Sequence, residues 1–202
     1  MSPEEAKRKY EEALSSLPPE LQATFRELAA SAKPRPRIET LDEASVAALA
    51  GEDLEVAVMD FVERNLPSQQ RLQAVLSLPR GLQVFYLSFI VEAEVMNGGF
   101  NQFFWNSSCE YAELVAPVLR ELGSAEAAAV FDQAFAVAEA EIEVKAKFQR
   151  SATLEAFSES YHHTELNAFD EPFCKLAGQF PALRLQIVRT NEPSFFERPH
   201  GG

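Results

Sequence analysis

The sequence has little glycine, almost no cysteine or histidine, and no long hydrophobic run. Its 202 residues include 8 Gly, 2 Cys and 3 His, which argues against a turn-rich β structure and a disulfide framework. The longest apolar run, VFYLSFIV at residues 84–91, is far shorter than the roughly 20 residues that span a bilayer. The N-terminal segment lacks the apolar core of a signal peptide. We therefore expect a cytoplasmic protein with reduced thiols and no membrane segment.

Residues suited to catalysis or metal binding are also scarce. Glu159 and His162 have the i, i+3 spacing found in di-iron bundles, but such a site needs a second pair of this kind, and the sequence has none. Cys109 and Cys174 have no metal-ligand spacing, and none of the common catalytic signatures occurs. The sequence thus predicts no catalytic residues, no metal site and no cofactor.

Positive charge is missing from two long segments. Residues 38–63 contain eight acids and no Lys or Arg, and residues 92–143 contain ten acids and only Arg120. The formal net charge of the chain is −13. Acidic surfaces repel nucleic acid and attract basic proteins. We therefore expect no direct nucleic-acid binding, and we expect any charged partner to be basic.

Helix-forming sequence is abundant. Ala, Leu and Glu are frequent, and apolar residues recur at helical spacing through most of the chain. KPRPR at residues 33–37 cannot be helical, because each proline pushes its predecessor into an extended conformation. We predict an all-α multi-helix bundle. It has an N-terminal helical hairpin and Pro-rich linker at residues 1–37, and an all-α domain at residues 38–202 with a central apolar helix beginning at Pro79.

Glycine and serine predict the later helix boundaries. Gly123 suits the end of one helix and Ser124 the start of the next. We expect that next helix to run from Ala125 to about Arg150. Further helices are predicted at residues 170–177 and 181–190.

The stretch EVMNGGFNQFFWNSS at residues 94–108 places two glycines among large apolar side chains. A phosphate-binding loop is disfavoured, because the glycines follow a helix and no Lys or Arg lies between Arg80 and Arg120. A helix end is favoured, since glycine takes positive φ without a steric penalty. We expect Gln102 and Asn106 to bond the carbonyls freed there. The residues of this motif, which we expect to be structural, are Asn97, Gly98, Gly99, Phe100, Gln102, Phe103 and Asn106.

Three segments together resemble a known family. They are VFYLSFIVEAEVMNGGFNQFFWNSS, LGSAEAAAVFDQA, and FDEPFCKL followed by LRLQIVRTNEPSFF, within residues 77–196. They are similar to a helical bacterial family, formerly known only as a domain of unknown function, whose characterised member is an acidic DNA-mimic protein. The resemblance implies an all-α fold and a homodimer. It also implies an acidic surface that occupies the DNA-binding face of a transcription regulator.

Mimicry requires acids on a continuous face. One helix is too sparse, because five acids over residues 125–143 give about one charge per 6 Å, against about 1.7 Å in duplex DNA. Several helices or two subunits would have to contribute. The hypothesis is therefore a non-enzymatic protein that binds a basic DNA-binding protein or transcription factor. Its candidate partner-binding residues are Glu110, Glu113, Glu121, Glu126, Asp132, Glu139, Glu141 and Glu143.

Two alternatives stay open. The first is an enzyme or small-ligand protein with a pocket beside Gln102, Trp105, Asn106 and Tyr111, the polar and aromatic residues around the glycine pair. The second is an accessory or immunity-type protein that acts on a partner encoded nearby. A ligand-sized pocket in which those side chains converge would favour the first.

Overall fold

The structure, a computed structural model, describes residues 3–31, 35–151 and 153–190. Its regular elements are all helical, with no strand among these residues, so the predicted all-α class is confirmed. The chain divides into two compact units, Met1–Arg35 and Pro36–Gly202. The α-helices are α1 Pro3–Ser15, α2 Pro19–Ser31, α3 Glu43–Ala48, α4 Gly51–Asn65, α5 Arg71–Leu76, α6 Arg80–Trp105, α7 Ala112–Leu122, α8 Ala125–Ala140, α9 Ile142–Gln149, α10 Leu154–Ser160, α11 Asp170–Ala177 and α12 Phe180–Arg189.

The first unit is a pair of helices, α1 and α2. Pro18 and Pro19 stand at the start of α2, where a missing backbone N–H is not needed for the helix. The Tyr10 hydroxyl donates to the Phe25 carbonyl across the pair, at 3.3 Å. Of the Pro-rich stretch, residues 33 and 34 lie outside the described part, and residues 35–37 have no regular structure.

The larger unit is built around α6. All residues from Gly81 to Ser88 are buried, and α6 packs against α7, α11 and α12. A helix that is apolar on every side can be covered only from several directions. This is the central apolar helix that the sequence predicts.

Aromatic side chains fill the core beyond the glycine pair. Phe100, Phe103 and Phe104 are buried there. The ring centroid of Phe100 lies 5.1 Å from that of Phe173 on α11, and the centroid of Phe103 lies 5.5 Å from that of Phe131 on α8. Both pairs meet edge to face, the arrangement that aromatic quadrupoles favour. The end of α6, α8 and α11 therefore share one core.

A buried ion cluster joins α4, α6 and α12. Arg184 is 1% exposed; its Nε donates to Glu55 at 2.6 Å, and its Nη2 lies 2.5 Å from Glu92. Burial raises the pKa of Glu92, and Arg184 opposes that rise. Glu55 and Glu92 belong to the two acidic segments of the sequence, yet they pair with Arg184 in the interior and are not part of the exposed surface. The linear charge count therefore overstates the acidity of the surface.

One predicted helix is interrupted. The helix expected from Ala125 to about Arg150 is two helices, α8 and α9, separated at Glu141. The Glu141 carboxylate accepts from the Thr164 hydroxyl at 2.5 Å and from the Glu165 N–H at 2.9 Å. These partners are more than 20 residues away in the sequence, so local sequence patterns do not reveal the interruption. The helix predicted at residues 170–177 is α11, and the one predicted at 181–190 is α12, shifted by one residue.

Candidate functional site

The candidate acidic residues lie on three consecutive helices and the turn before them. Helices α7 and α8 form a hairpin whose connection is only Gly123 and Ser124. Gly123 has φ of 98°, a left-handed conformation that glycine adopts without strain. The candidates are distributed as Glu110 in the 3₁₀ turn Ser107–Tyr111, Glu113 and Glu121 on α7, Glu126, Asp132 and Glu139 on α8, Glu141 after α8, and Glu143 on α9.

Three of these acids are already engaged within the protein. Arg80 Nε donates to Glu121 at 2.8 Å, and Arg120 pairs with Asp132. The Glu141 carboxylate accepts from the Thr164 hydroxyl and from the Glu165 backbone N–H. Exposed ion pairs are weak, so the first two can exchange for a partner's cation. Glu141 is half-buried and contributes to the fold. It does not lie on an open acidic face.

Four acids stay exposed and form no ion pair or side-chain hydrogen bond with a described residue. We call Glu113, Glu126, Glu139 and Glu143 the unpaired acids. Glu110 is also exposed, but it contacts the Tyr111 hydroxyl and helps to raise the pKa of that phenol, after the larger effect of burial. The unpaired acids are the part of the candidate set available to another molecule.

The unpaired acids are widely spaced. Glu126 and Glu139 are about 20 Å apart along α8 at 1.5 Å per residue, whereas duplex DNA carries a charge per about 1.7 Å. Exposed Lys147 and Arg150 follow Glu143, so the acidic character ends near α9. These four positions are too far apart to reproduce the continuous charge of a nucleic-acid backbone.

The glycine pair breaks α6 internally. Gly98 has φ −156° and ψ 28°, and Gly99 has φ 69° and ψ −178°, so helical geometry is lost at both before it resumes. The expected positive φ therefore occurs at Gly99, and at Gly98 space is the limiting factor. A Cβ at Gly98 would lie 2.9 Å from the Gln102 side-chain carbon Cδ. The Gly98 carbonyl, released from the helix, accepts from the Tyr161 hydroxyl at 2.7 Å.

Asp170 closes the other side of this break. Its carboxylate accepts from the Phe100 N–H at 2.8 Å, the first N–H group after the glycines, as an N-cap residue does for a new helix. Burial raises the pKa of Asp170, and the Phe100 N–H opposes that rise. Burial likewise raises the pKa of the Tyr161 phenol. Both groups are half-buried and serve the backbone of the corner.

The polar side chains of the motif have a different role from the one expected. Gln102 Nε2 and Asn106 Nδ2 donate to Glu94, at 2.8 and 2.9 Å, and the Ser108 hydroxyl donates to the same carboxylate at 2.8 Å. The prediction that the two amides bond freed carbonyls is therefore wrong. Their nearest strong acceptor is a charged group one turn before the break. Asn97 Nδ2 in turn donates to Gln102 Oε1 at 3.2 Å.

An open cleft of about 650 Å³ adjoins these amides. Its lining is Asn97, Gln102, Trp105, Asn106, Gln149, Thr153, Leu154 and Phe157. The pocket considered from the sequence thus contains Gln102, Trp105 and Asn106. Tyr111 is not part of it, since that residue is buried with its ring centroid 6.4 Å from that of Tyr86.

A second cavity, near α9, is small and partly open. Its volume is about 20 Å³, room for a single water molecule. Lys145 lines it and donates to the Phe104 carbonyl near the end of α6. Burial lowers the pKa of Lys145, and the neighbouring Cys109 thiol opposes this.

Within residues 3–31, 35–151 and 153–190, no group of three His, Cys, Asp or Glu side chains is arranged to hold a metal. Glu159, which has di-iron-like spacing to His162 in the sequence, has its carboxylate 3.2 Å from Nε2 of the next histidine, His163.

A family model described as DMP19-like protein matches residues 76–191. The chain belongs to the DMP19-like family. This is the family of DNA-mimic proteins that the sequence segments resemble. Comparisons with curated proteins and with solved structures return no match.

The DMP19-like segment extends from the end of α5 through α12 and contains the glycine pair, the cleft and all four unpaired acids. Helix α4 precedes it, yet Glu55 on α4 pairs with Arg184 inside it. Among the described residues, no helix has both the length and the apolar character needed to cross a membrane.

Sequence reasoning missed Glu94, Asp170 and Arg184 as organisers of this unit. Each makes its polar contacts through groups that are distant in the sequence or across a helix break. The one available signal was the absence of Lys and Arg near Glu94 and Glu92, which left these acids without a local counter-charge.

Proposed function

We propose that this protein is a non-enzymatic DNA mimic, whose acidic face occupies the DNA-binding surface of a basic transcription regulator or another basic DNA-binding protein. The supporting observation is that four exposed carboxylates, the unpaired acids, lie on α7, α8 and α9 inside the DMP19-like segment. A DNA-binding protein presents Lys and Arg to phosphates. Separate carboxylates can accept hydrogen bonds from the same Lys and Arg side chains and so take the place of the phosphates.

The spacing of the acids limits what this face can do alone. Because one hairpin offers a few charges over about 20 Å, while DNA offers one per about 1.7 Å, a single copy covers only separate phosphate positions. We propose that two copies associate and place two such faces side by side. Light scattering after gel filtration, which gives the mass in solution, would read twice the 22.5 kDa of one chain. A mass of one chain at all concentrations would refute the dimer.

The experiment on function uses two variants with the same change of net charge. In the four-Gln variant, Glu113, Glu126, Glu139 and Glu143 become Gln. In the matched control, four exposed acids of the first unit become Gln, namely Glu11, Glu12, Glu20 and Glu27. All eight positions are exposed, so both variants should fold as the wild type does.

Each protein is immobilised and exposed to lysate of its source cells at low salt, and bound proteins are eluted first with short duplex DNA. We expect the DNA eluate to contain a DNA-binding protein with the wild type and with the matched control, but not with the four-Gln variant. Binding should weaken steeply as salt rises, because screening reduces attraction between exposed charges. Retention of the same protein by the four-Gln variant would refute the role of this face.

A further inference from the structure

Glu94 is a half-buried carboxylate with no positively charged partner among the described residues. Within the described part of the chain, it accepts hydrogen bonds only from neutral groups, the amides of Gln102 and Asn106 and the Ser108 hydroxyl. By contrast, the similarly placed Glu92, two residues earlier on α6, is neutralised by Arg184. The charge of Glu94 is thus left directly behind the two amides that line the open cleft.

Glu94 also fixes which way those amides point. A carboxylate can only accept, so Gln102 and Asn106 must turn their NH₂ groups toward it and their carbonyl oxygens away. The Gln102 oxygen then accepts from the Asn97 NH₂, and the NH₂ of Gln149 donates to the Trp105 carbonyl at 3.1 Å. The amide oxygens of Asn97, Asn106 and Gln149 receive no hydrogen bond from a described residue. The cleft therefore offers oriented acceptors.

The remaining walls are aromatic and apolar. The ring centroids of Trp105 and Phe157 lie 5.1 Å apart, and Leu154 at the rim is 74% exposed. A group that suits this cleft has several N–H donors, a positive charge, and a flat face or apolar stem to lie on the rings. An arginine side chain has all of these, since its planar guanidinium carries five donors and stacks on aromatic rings.

We propose that the cleft binds the guanidinium group of an arginine side chain presented by a protein partner. Charge complementarity with Glu94, the oriented amide oxygens and the aromatic wall together select this group. The identity of that partner as a basic DNA-binding protein rests on the proposed function, whereas guanidinium binding by the cleft does not. The cleft would then anchor one side chain of the partner, separately from the acidic face.

Trp105 is the only tryptophan in the chain, so its fluorescence reports on this cleft directly. The probe is N-acetyl-L-arginine amide, compared with the corresponding lysine and citrulline amides, each corrected against free N-acetyltryptophan amide. We expect a saturable change with the arginine probe and at least about fivefold weaker binding of the lysine probe, a difference typical of one lost good contact. The neutral citrulline probe should give no saturable change.

Three variants locate the response. Glu94→Gln removes the negative charge behind the amides and frees the amides to rotate. Because both the longer-range attraction and the fixed orientation of the acceptors are lost, arginine binding should weaken by about tenfold. Asn97→Ala removes an acceptor at an exposed position and should weaken binding by a few fold without affecting folding. Glu155→Gln, a matched loss of an exposed acid on neighbouring α10, should leave binding within about twofold.

The four-Gln variant separates this inference from the proposed function. It should bind the arginine probe as the wild type does while losing the captured DNA-binding protein. If the wild type shows no saturable response, or binds citrulline as tightly as arginine, the cleft proposal is overturned and the acidic-face proposal is untouched. If Glu155→Gln weakens binding as much as Glu94→Gln does, the response reflects general negative charge, and the cleft proposal again fails.

Discussion

Substitution of Gly99 by alanine tests the physical account of the motif most sharply. Gly99 has φ 69°, where an L-residue with a Cβ is strained. A Cβ there would also lie 2.7 Å from Asp170 Cγ and closer still to one of its oxygens. Asp170 would have to move, and its bond with the Phe100 N–H would be lost. The substitution therefore affects both the backbone and the carboxylate that restarts the helix.

The expected destabilisation follows from these two effects. A backbone at φ 69° and ψ −178° lies in a region that is essentially confined to glycine, and it costs about 1–3 kcal/mol for another residue. A hydrogen bond to a charged group contributes about 1.5–3 kcal/mol. Because Asp170 can regain some solvation when displaced, we expect a loss of about 2–4 kcal/mol in the free energy of unfolding. This corresponds to a fall in Tm of about 4–16 °C for a chain of this size.

Urea denaturation followed by Trp105 fluorescence measures this quantity in the larger unit. The matched control is Gly178→Ala, since Gly178 has a negative φ of −56° and a Cβ there would meet only the Lys175 carbonyl, at an ordinary 3.8 Å. We expect the control to change stability by no more than about 0.5 kcal/mol. If Gly99→Ala unfolds within that same margin of the wild type, the proposed strain and the role of Asp170 are refuted.

Two further predictions concern buried charge. Arg184→Met should lower the free energy of unfolding by about 3–5 kcal/mol, because it leaves Glu55 and Glu92 buried without a counter-charge. Replacing both of these glutamates by Gln in the same variant should recover part of that loss. A loss below about 1 kcal/mol in Arg184→Met would contradict this prediction. Burial raises the pKa of Asp170 above its ordinary 3.8, so the folded state holds this proton more tightly than the unfolded state does. The protonated carboxyl therefore favours folding at low pH, and this contribution is lost as the pH rises from 3.8 through the raised pKa. The free energy of unfolding should therefore fall less across this window in Asp170→Asn than in the wild type; parallel profiles would show that Asp170 titrates normally.

Much of the fold is encoded locally. Gly123 and the residues around Pro79 mark helix boundaries by rules that involve only a few neighbouring residues. The unbroken apolar character of residues 84–91 likewise identifies the central helix without knowledge of its neighbours. The interruption at Glu141 was not predictable in this way, because it coincides with contacts to Thr164 and Glu165.

The candidate site was harder to predict because a sequence shows where acids occur but not what neutralises them. Glu92 and Glu113 look alike as residues of one acidic segment, yet the first is paired with Arg184 and the second is exposed. Arg184 lies 92 positions from Glu92. The orientation of the Asn106 amide depends in the same way on Glu94, 12 positions earlier and across the helix break. Charge counts show where acids occur in the sequence, and only the fold shows which of them are exposed without a partner among the described residues.

The most direct test of the central claim is competition with DNA. A fluorescein-labelled duplex is bound to the DNA-binding protein captured as above, and its fluorescence anisotropy is followed as this protein is added. The account predicts that the wild type and the Glu11, Glu12, Glu20, Glu27 control release the duplex, and that the four-Gln variant does not. Release by the four-Gln variant at the same concentration, or no release by the wild type, would contradict it.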